Sequence, residues 1–436
     1  MIATRGPSVT HRKSSALRAD GDLALILVRP KRGSPAMKRI IVCVAALFLA
    51  SCTTPHDRPG PLARGVRADA PPDTIGVMLS WTPDQTLVNF RRSDQIFVAH
   101  TIHRGANVRA LPRAAVQIDP VVTQSDGLPA VSVAQLMDVE RITGVIAVKD
   151  GEIILERYAL GRGPDDRWIS MSVAKSVTST LIGAAVKDGL IHSIDDPVVR
   201  YIPELTGTAY DGVTIRHLMT MSSGVRWMED YVDRRSDVAL AGGEEMVGGV
   251  PPLVAYAARL EREAKPGTRR KYQTIDADMA GIVLSRALRG RTLADYISEK
   301  IWQPFGMEAD ANWIVDKAGI ERGGCCLSIT LRDYARFVMF MDEGGRTGGV
   351  DVLPEGWIHE AWTPQLSEPD KYAVGFGFYW QIRQDGGYEA VGAYGQSVTI
   401  YPSEHLVIAV NSASVDPHGI GLARWDLIAA IRVAVR

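Results

Sequence analysis

Hydrophobic and polar positions fall into two different periods along this chain, and the change between them outlines the fold. From Ile142 the residues alternate or run apolar in short β-branched stretches. Gly144-Val-Ile-Ala-Val-Lys149 and Glu152-Ile-Ile-Leu-Glu-Arg-Tyr158 flank Asp150-Gly151, the strongest short signal for a hairpin. Comparable runs return near the other end, at Phe376 to Ile382, Ser397 to Tyr401 and Leu406 to Asn411, the last two joined by Pro402-Ser403-Glu404-His405. Between 172 and 344 the apolar spacing is helical. Ser172 to Asp188 is apolar and alanine-rich and stops at Gly189, a residue suited to a helix C-terminus. Further helices are expected at 214–221, 251–263, 275–289, 292–302 and 330–342, with a last one over 421–435. Strands at both ends with helices between them predict an α/β chain of the α+β type. One antiparallel sheet is built from both ends, helices flank it, and a mainly helical region is inserted. No internal repeat is found.

The N-terminal residues follow neither period. Lys38-Arg39 precedes an apolar run from Ile40 to Ala50 that ends in Leu49-Ala50-Ser51-Cys52, the layout of a secretory signal and too short to span a bilayer comfortably. Leu-Ala-Ser-Cys resembles the bacterial lipobox, which implies lipidation of Cys52 and a protein anchored in the cell envelope, periplasmic or outer-membrane. The expected organisation is an extended or mis-assigned start over 1–36, a lipoprotein signal over 37–51 beginning at Met37, a Pro-, Gly- and Arg-rich tether over 52–72, and one domain over 73–436.

Composition narrows the partners. Loss of residues 1–51 removes nine basic and two acidic groups and moves the formal charge from −1 to −8. Such a surface does not suit anionic lipid, and no basic block in the body of the chain suits nucleic acid. Membrane contact should come from the anchor alone. Besides Cys43 and Cys52 only the adjacent Cys325 and Cys326 remain, read as small buried hydrophobes without a disulfide or zinc site. No His-Glu-x-x-His, paired Cys-x-x-Cys or Gly-x-Ser-x-Gly is present, so neither a metal nor a cofactor nor an α/β-hydrolase triad is expected.

The remaining chemistry gathers at Ser172-Val-Ala-Lys175, the only Ser-x-x-Lys in the chain. Residues three apart share a helix face, so the hydroxyl and amine can meet. A neutral lysine there can take the serine proton, which arginine cannot do. Glycines at 161 and 163 and Pro164 loosen the chain beforehand, so Ser172 should sit where a loop becomes a buried helix. The free N–H groups of that helix end favour an oxyanion.

Ser170-Met-Ser-Val-Ala-Lys-Ser-Val-Thr-Ser179 resembles the nucleophile motif of serine β-lactamases and penicillin-binding proteins, most of all the class C-like branch with 6-aminohexanoate-dimer hydrolases and related esterases. Four further segments resemble that family in order: His217 to Gly224, Lys265-Pro-Gly-Thr268 leading to Tyr272, Pro304-Phe-Gly-Met307, and Thr330 to Arg336. The resemblance covers about 144–413 and implies a β-lactamase/transpeptidase-like fold. It also implies roles: Ser172 as nucleophile, Lys175 as base, Tyr272 as proton relay, and Tyr231 contacting the scissile amide. Thr274 stands where the family has Asn. Ala393-Tyr394-Gly395 stands for the third motif without its Lys or His, with the N–H of Gln396 joining that of Ser172 as oxyanion hole. The residues around the substrate would then be Tyr231, Thr274, Tyr394 and Gly395. The expected activity is hydrolysis of a small ester or open-chain amide through an acyl-enzyme. Alternatives are a β-lactamase or D-Ala-D-Ala carboxypeptidase of the same fold, and a non-catalytic envelope protein that binds without turnover.

Overall fold

A computed structural model describes residues 75–366 and 373–436. The expected lipobox, tether and start segment lie outside these residues. No helix among the described residues is long and apolar enough to cross a membrane.

The strands of the two larger sheets are, in chain order, β1 (Ala99–Ile102), β2 (Ile142–Lys149), β3 (Glu152–Tyr158), β4 (Trp168–Ile169), β5 (Ala311–Ile314), β6 (Leu327–Ile329), β7 (Ala373–Phe376), β8 (Gln381–Arg383), β9 (Tyr388–Gly392), β10 (Gln396–Tyr401) and β11 (Leu406–Ser412). Seven of them form one antiparallel sheet in the order β7-β8-β9-β10-β11-β2-β3. Its join is β11 against β2, with Val410 opposite Val145 and Ile408 opposite Ala147, so the two ends of the domain close a single sheet. The predicted hairpin is present. Asp150 and Gly151 both take positive φ, 52° and 83°, the backbone that lets a two-residue turn follow the strand twist. β2 is buried along nearly its whole length because helices cover one face and the C-terminal helix the other.

Five longer helices matter below: α1 (Pro83–Arg91), α2 (Ala174–Lys187), α3 (Thr274–Ala287), α4 (Leu331–Asp342) and α5 (Gly421–Ala434). The central α2 is buried from Ala174 to Ala185, so its small residues are packing surface. Gly183 is one such position, since a β-carbon there would collide with the Trp357 indole. The helix expected over 251–263 stops at Ala257. From Glu261 the backbone turns to pair with 224–226 instead: Arg226 N–H donates to Glu261 O at 2.8 Å and Glu263 N–H to Gly224 O at 2.7 Å. The stretch expected over 292–302 is a short α-turn, Leu293–Ile297, continued by a π-turn over Ser298–Trp302.

Two further expectations are corrected. The run Phe376 to Ile382 is not one strand: β7 ends at Phe376 and β8 begins at Gln381, with Gly377 N–H donating to Trp380 O at 2.8 Å across the turn between them. Cys325 and Cys326 are buried as predicted, but they are bonded to each other. Adjacent cysteines rarely pair because their α-carbons, here 3.7 Å apart, lie closer than a disulfide usually spans. Cys326 takes φ 82°, in the left-handed region.

Candidate active site

Ser172 lies in a single 3-10 turn, Met171–Val173, that leads into α2. Strand β4 delivers it there, locked against β6 by Ser170 N–H donating to Leu327 O at 2.6 Å and Leu327 N–H to Ser170 Oγ at 3.0 Å. One turn on, Lys175 is 2% exposed and its amine has three oxygen partners. It donates to Ser172 Oγ at 2.9 Å, to Gly324 O at 2.7 Å and to Thr274 Oγ1 at 3.2 Å. Its Nζ also stands 5.2 Å from the centre of the Tyr272 ring. Ser172, Lys175, Tyr272 and Thr274 therefore come together from segments separated by about 100 residues of sequence, as Lys175 and Thr274 are 99 apart.

The segments that resemble the family motifs pack on one another in pairs. Gly267 N–H donates to Ser222 O at 2.8 Å and Lys271 N–H to Met221 O at 2.9 Å, which holds the turn before Tyr272 against the 217–224 segment. Gly267 must be glycine: its φ is 76°, and a β-carbon would lie 2.8 Å from His217 Nε2. The other pair is structural. Thr330 caps α4 by accepting from Asp333 N–H at 3.2 Å, while the buried Asp333 carboxylate accepts from the N–H groups of Glu308 and Ala309 at 2.9 and 3.0 Å. That carboxylate fastens the Pro304–Met307 turn to the helix.

Glu229 is a site residue that the sequence reading missed. Its Oε1 accepts from Thr274 Oγ1 at 2.5 Å and from Tyr231 OH at 2.8 Å; Oε2 accepts from Thr274 N–H at 2.8 Å and from Trp227 Nε1. Tyr231 lies with its phenol on this carboxylate and its ring 5.9 Å from that of His418. Burial first, then the neighbouring Tyr272 phenol and Glu229 carboxylate, push the Tyr231 phenol well above its ordinary value, so it stays protonated. The only hint in the sequence is the acidic Glu229-Asp230 placed just before Tyr231.

The glycine that packs on Ser172 lies three residues before Gly395. β9 ends at Gly392, and a β-carbon there would lie 2.6 Å from Ser170 O and 3.0 Å from Ser172 N. Gly392 is thus the strand glycine against Ser172, and the next N–H belongs to Ala393. Gly395 instead packs on Ser412 and Ile420 with φ 93°. Gln396 begins β10, where its buried side chain takes a hydrogen bond from Trp168 Nε1 at 3.0 Å and gives one to Ser412 O at 2.7 Å. Tyr394, at φ 60°, presses its ring edge-on to Phe90 at 5.3 Å. The family's cation is missing in this register too, because Ala390 stands two residues before Gly392. Among the described residues no group of three or more His, Cys, Asp or Glu could hold a metal.

A sheet closed by both chain ends, with a serine–lysine pair at the foot of a buried helix, defines the class as a serine hydrolase of the β-lactamase type. The chain belongs to the beta-lactamase family, whose profile, described as Beta-lactamase, matches residues 132–432. It is 29% identical over 287 residues to the 6-aminohexanoate-dimer hydrolase of Paenarthrobacter ureafaciens, covering 62% of this chain and 72% of the relative. Its fold resembles that of a Bacillus anthracis protein assigned provisionally as a 6-aminohexanoate-dimer hydrolase, with TM-score 0.67, 22% identity and coverage of 80% and 93% of the two chains. It also resembles a family VIII carboxylesterase, at TM-score 0.52, 18% identity and coverage of 69% and 94%. The chain is a β-lactamase-related serine hydrolase.

Proposed function

We propose that this enzyme hydrolyses a small ester or an open-chain amide through an acyl-enzyme on Ser172. The observation that carries this reading is the 2.9 Å contact between Ser172 Oγ and Lys175 Nζ inside a buried site. Deprotonated Lys175 removes the hydroxyl proton as Ser172 Oγ bonds to the substrate carbonyl carbon. The oxygen takes the negative charge and faces the N–H groups of Ser172 and of Ala393; the packing of Gly392 against Ser172 N supports this pair. One such donor contributes about a hundred- to thousandfold in rate. The carbonyl re-forms, the C–O or C–N bond breaks, and the leaving alkoxide or amine takes a proton relayed from Lys175 through Tyr272. Water then attacks the ester carbonyl on Ser172 and gives a proton to the same relay; the bond from that carbon to Ser172 Oγ breaks, Oγ takes the proton back from Lys175, and the acid leaves.

The named relatives support amide or ester substrates for this chain, since one is a 6-aminohexanoate-dimer hydrolase and one structural neighbour a carboxylesterase. Absence of a lysine or histidine at Ala390 removes the group that would steady a substrate carboxylate, which disfavours β-lactamase and D-Ala-D-Ala carboxypeptidase activity. Ser172→Ala should lose p-nitrophenyl ester hydrolysis and fluorophosphonate labelling together, and a variant that still turns over the ester at the parent rate contradicts the proposal. We also propose that Cys52 carries a lipid that anchors the enzyme in a bacterial envelope. Its support is the Leu-Ala-Ser-Cys sequence alone. Cells fed a clickable palmitate analogue should label the parent but not Cys52→Ser; equal labelling of both overturns the anchor.

A further inference from the structure

Lys175 can act as a base toward Ser172 only if its lone pair, once the amine is neutral, points at Ser172 Oγ. A neutral amine has two N–H bonds and one lone pair. Three oxygens surround Nζ, so two of them must accept and the third must face the lone pair. Gly324 O is a carbonyl and can only accept, at 2.7 Å. Thr274 Oγ1, at 3.2 Å, is a hydroxyl and could either accept from the amine or donate into its lone pair. Donation would occupy the lone pair and leave an N–H, useless for proton removal, directed at Ser172.

Glu229 decides between these two arrangements. Its carboxylate offers only acceptors, and four donors converge on it: Thr274 N–H at 2.8 Å, Thr274 O–H at 2.5 Å, Tyr231 O–H at 2.8 Å and Trp227 Nε1–H. Thr274 has a single hydroxyl hydrogen, and the contact to Oε1 uses it. The same oxygen then has only lone pairs left for Lys175. Thr274 is 3% exposed, so solvent does not reorient it.

We infer that Glu229 is a positioning residue that fixes Thr274 as an acceptor and so aims the Lys175 lone pair at Ser172. The inference rests on the reading of Ser172 and Lys175 as nucleophile and base. It also gives a chemical reason for Thr274: with its hydrogen held by Glu229, a hydroxyl serves Lys175 as a fixed acceptor. Tyr231 is oriented by the same carboxylate, which ties its phenol to the direction of this hydrogen-bond chain.

Steady-state kinetics on p-nitrophenyl butyrate test this with E229Q, T274V, T274S, the E229Q/T274V double variant and S172A, each checked for folding by circular dichroism. In E229Q an amide NH2 replaces one carboxylate oxygen and meets donors, which frees Thr274 to donate toward Lys175. The expected result is a fall in kcat of about tenfold or more in E229Q and T274V, with KM changed less than about threefold. T274S, which keeps the hydroxyl, should stay within about threefold of the parent. The double variant should be no slower than the worse single variant, because both changes break one chain. E229Q at the parent kcat overturns the inference. So does a double variant whose losses multiply, which would mean that Glu229 acts on the fold and not through Thr274. If E229Q does not fold, T274V against T274S decides the matter, and a T274V enzyme within twofold of the parent overturns it. Inactive S172A beside unaffected E229Q and T274V overturns this inference alone. Active S172A overturns the Ser172 reading, and this inference with it.

Discussion

Lys175 takes its three oxygen partners from three separate parts of the chain: Ser172 from the turn before α2, Thr274 from the first residue of α3, and Gly324 from the loop before β6. Residue types and spacing made the first contact legible, because a serine and a lysine three apart on a helix must share a face. The other two were not legible. A backbone carbonyl carries no residue-type signal, and Glu229 reaches Thr274 across 45 positions of sequence. A second buried carboxylate beside the site gives a test at this scale. Burial pushes Asp276 up from the ordinary 3.8 to about 7. Below about pH 4 the group is neutral folded or unfolded. Between there and about pH 7 the unfolded chain releases its proton while the folded protein keeps it, so the stability contributed by this group falls as pH rises. Asp276→Asn should flatten the decline of melting temperature between pH 4 and 7. Parallel curves for the two proteins would show that Asp276 does not titrate as described.

Among the elements, the β2–β3 hairpin and the buried helices were legible, whereas the run Phe376 to Ile382 holds the turn between β7 and β8, and boundaries set by distant partners were not legible. The β2–β3 hairpin follows from Asp150-Gly151, and α2 ends as its Gly189 requires, at φ 70°. The helix expected over 251–263 ends early because Glu261 to Ala264 bond to the 224–226 backbone, a competition that local periodicity does not register. The third motif shows the same limit. Gly392 and Gly395 close and follow one strand, and only the pairing of β9 with β10 decides which of them meets Ser172. A side chain at Gly392 would press on Ser170 O and Ser172 N. Gly392→Ala should therefore displace the Ser172 N–H and lower kcat about a hundredfold, the scale of one lost oxyanion donor. An enzyme with Gly395→Ala at least as impaired in kcat would return the assignment to Gly395-Gln396.

At the scale of the molecule, the sheet built from both chain ends was legible because its strand-like runs sit at the two ends of a helical stretch. The part before Ile142 was not, since its short elements carry little period of their own. The structure puts it to use: Phe90 on α1 packs edge-on to Trp168 at 5.9 Å and to Tyr394 at 5.3 Å, bracing β4 just ahead of Ser172. The whole arrangement, with sheet, buried helix and two loops converging on one amine, has a single chemical consequence in this account: a transient ester on Ser172. Mixing the enzyme with p-nitrophenyl butyrate, quenching in acid within milliseconds to seconds and mapping the peptides by mass spectrometry tests it most directly. The account predicts a butyryl mass increment on the Trp168–Lys175 peptide, localised to Ser172 and absent from the Ser172→Ala protein. Steady turnover with the increment on another residue, or on that peptide in the Ser172→Ala protein, would contradict it.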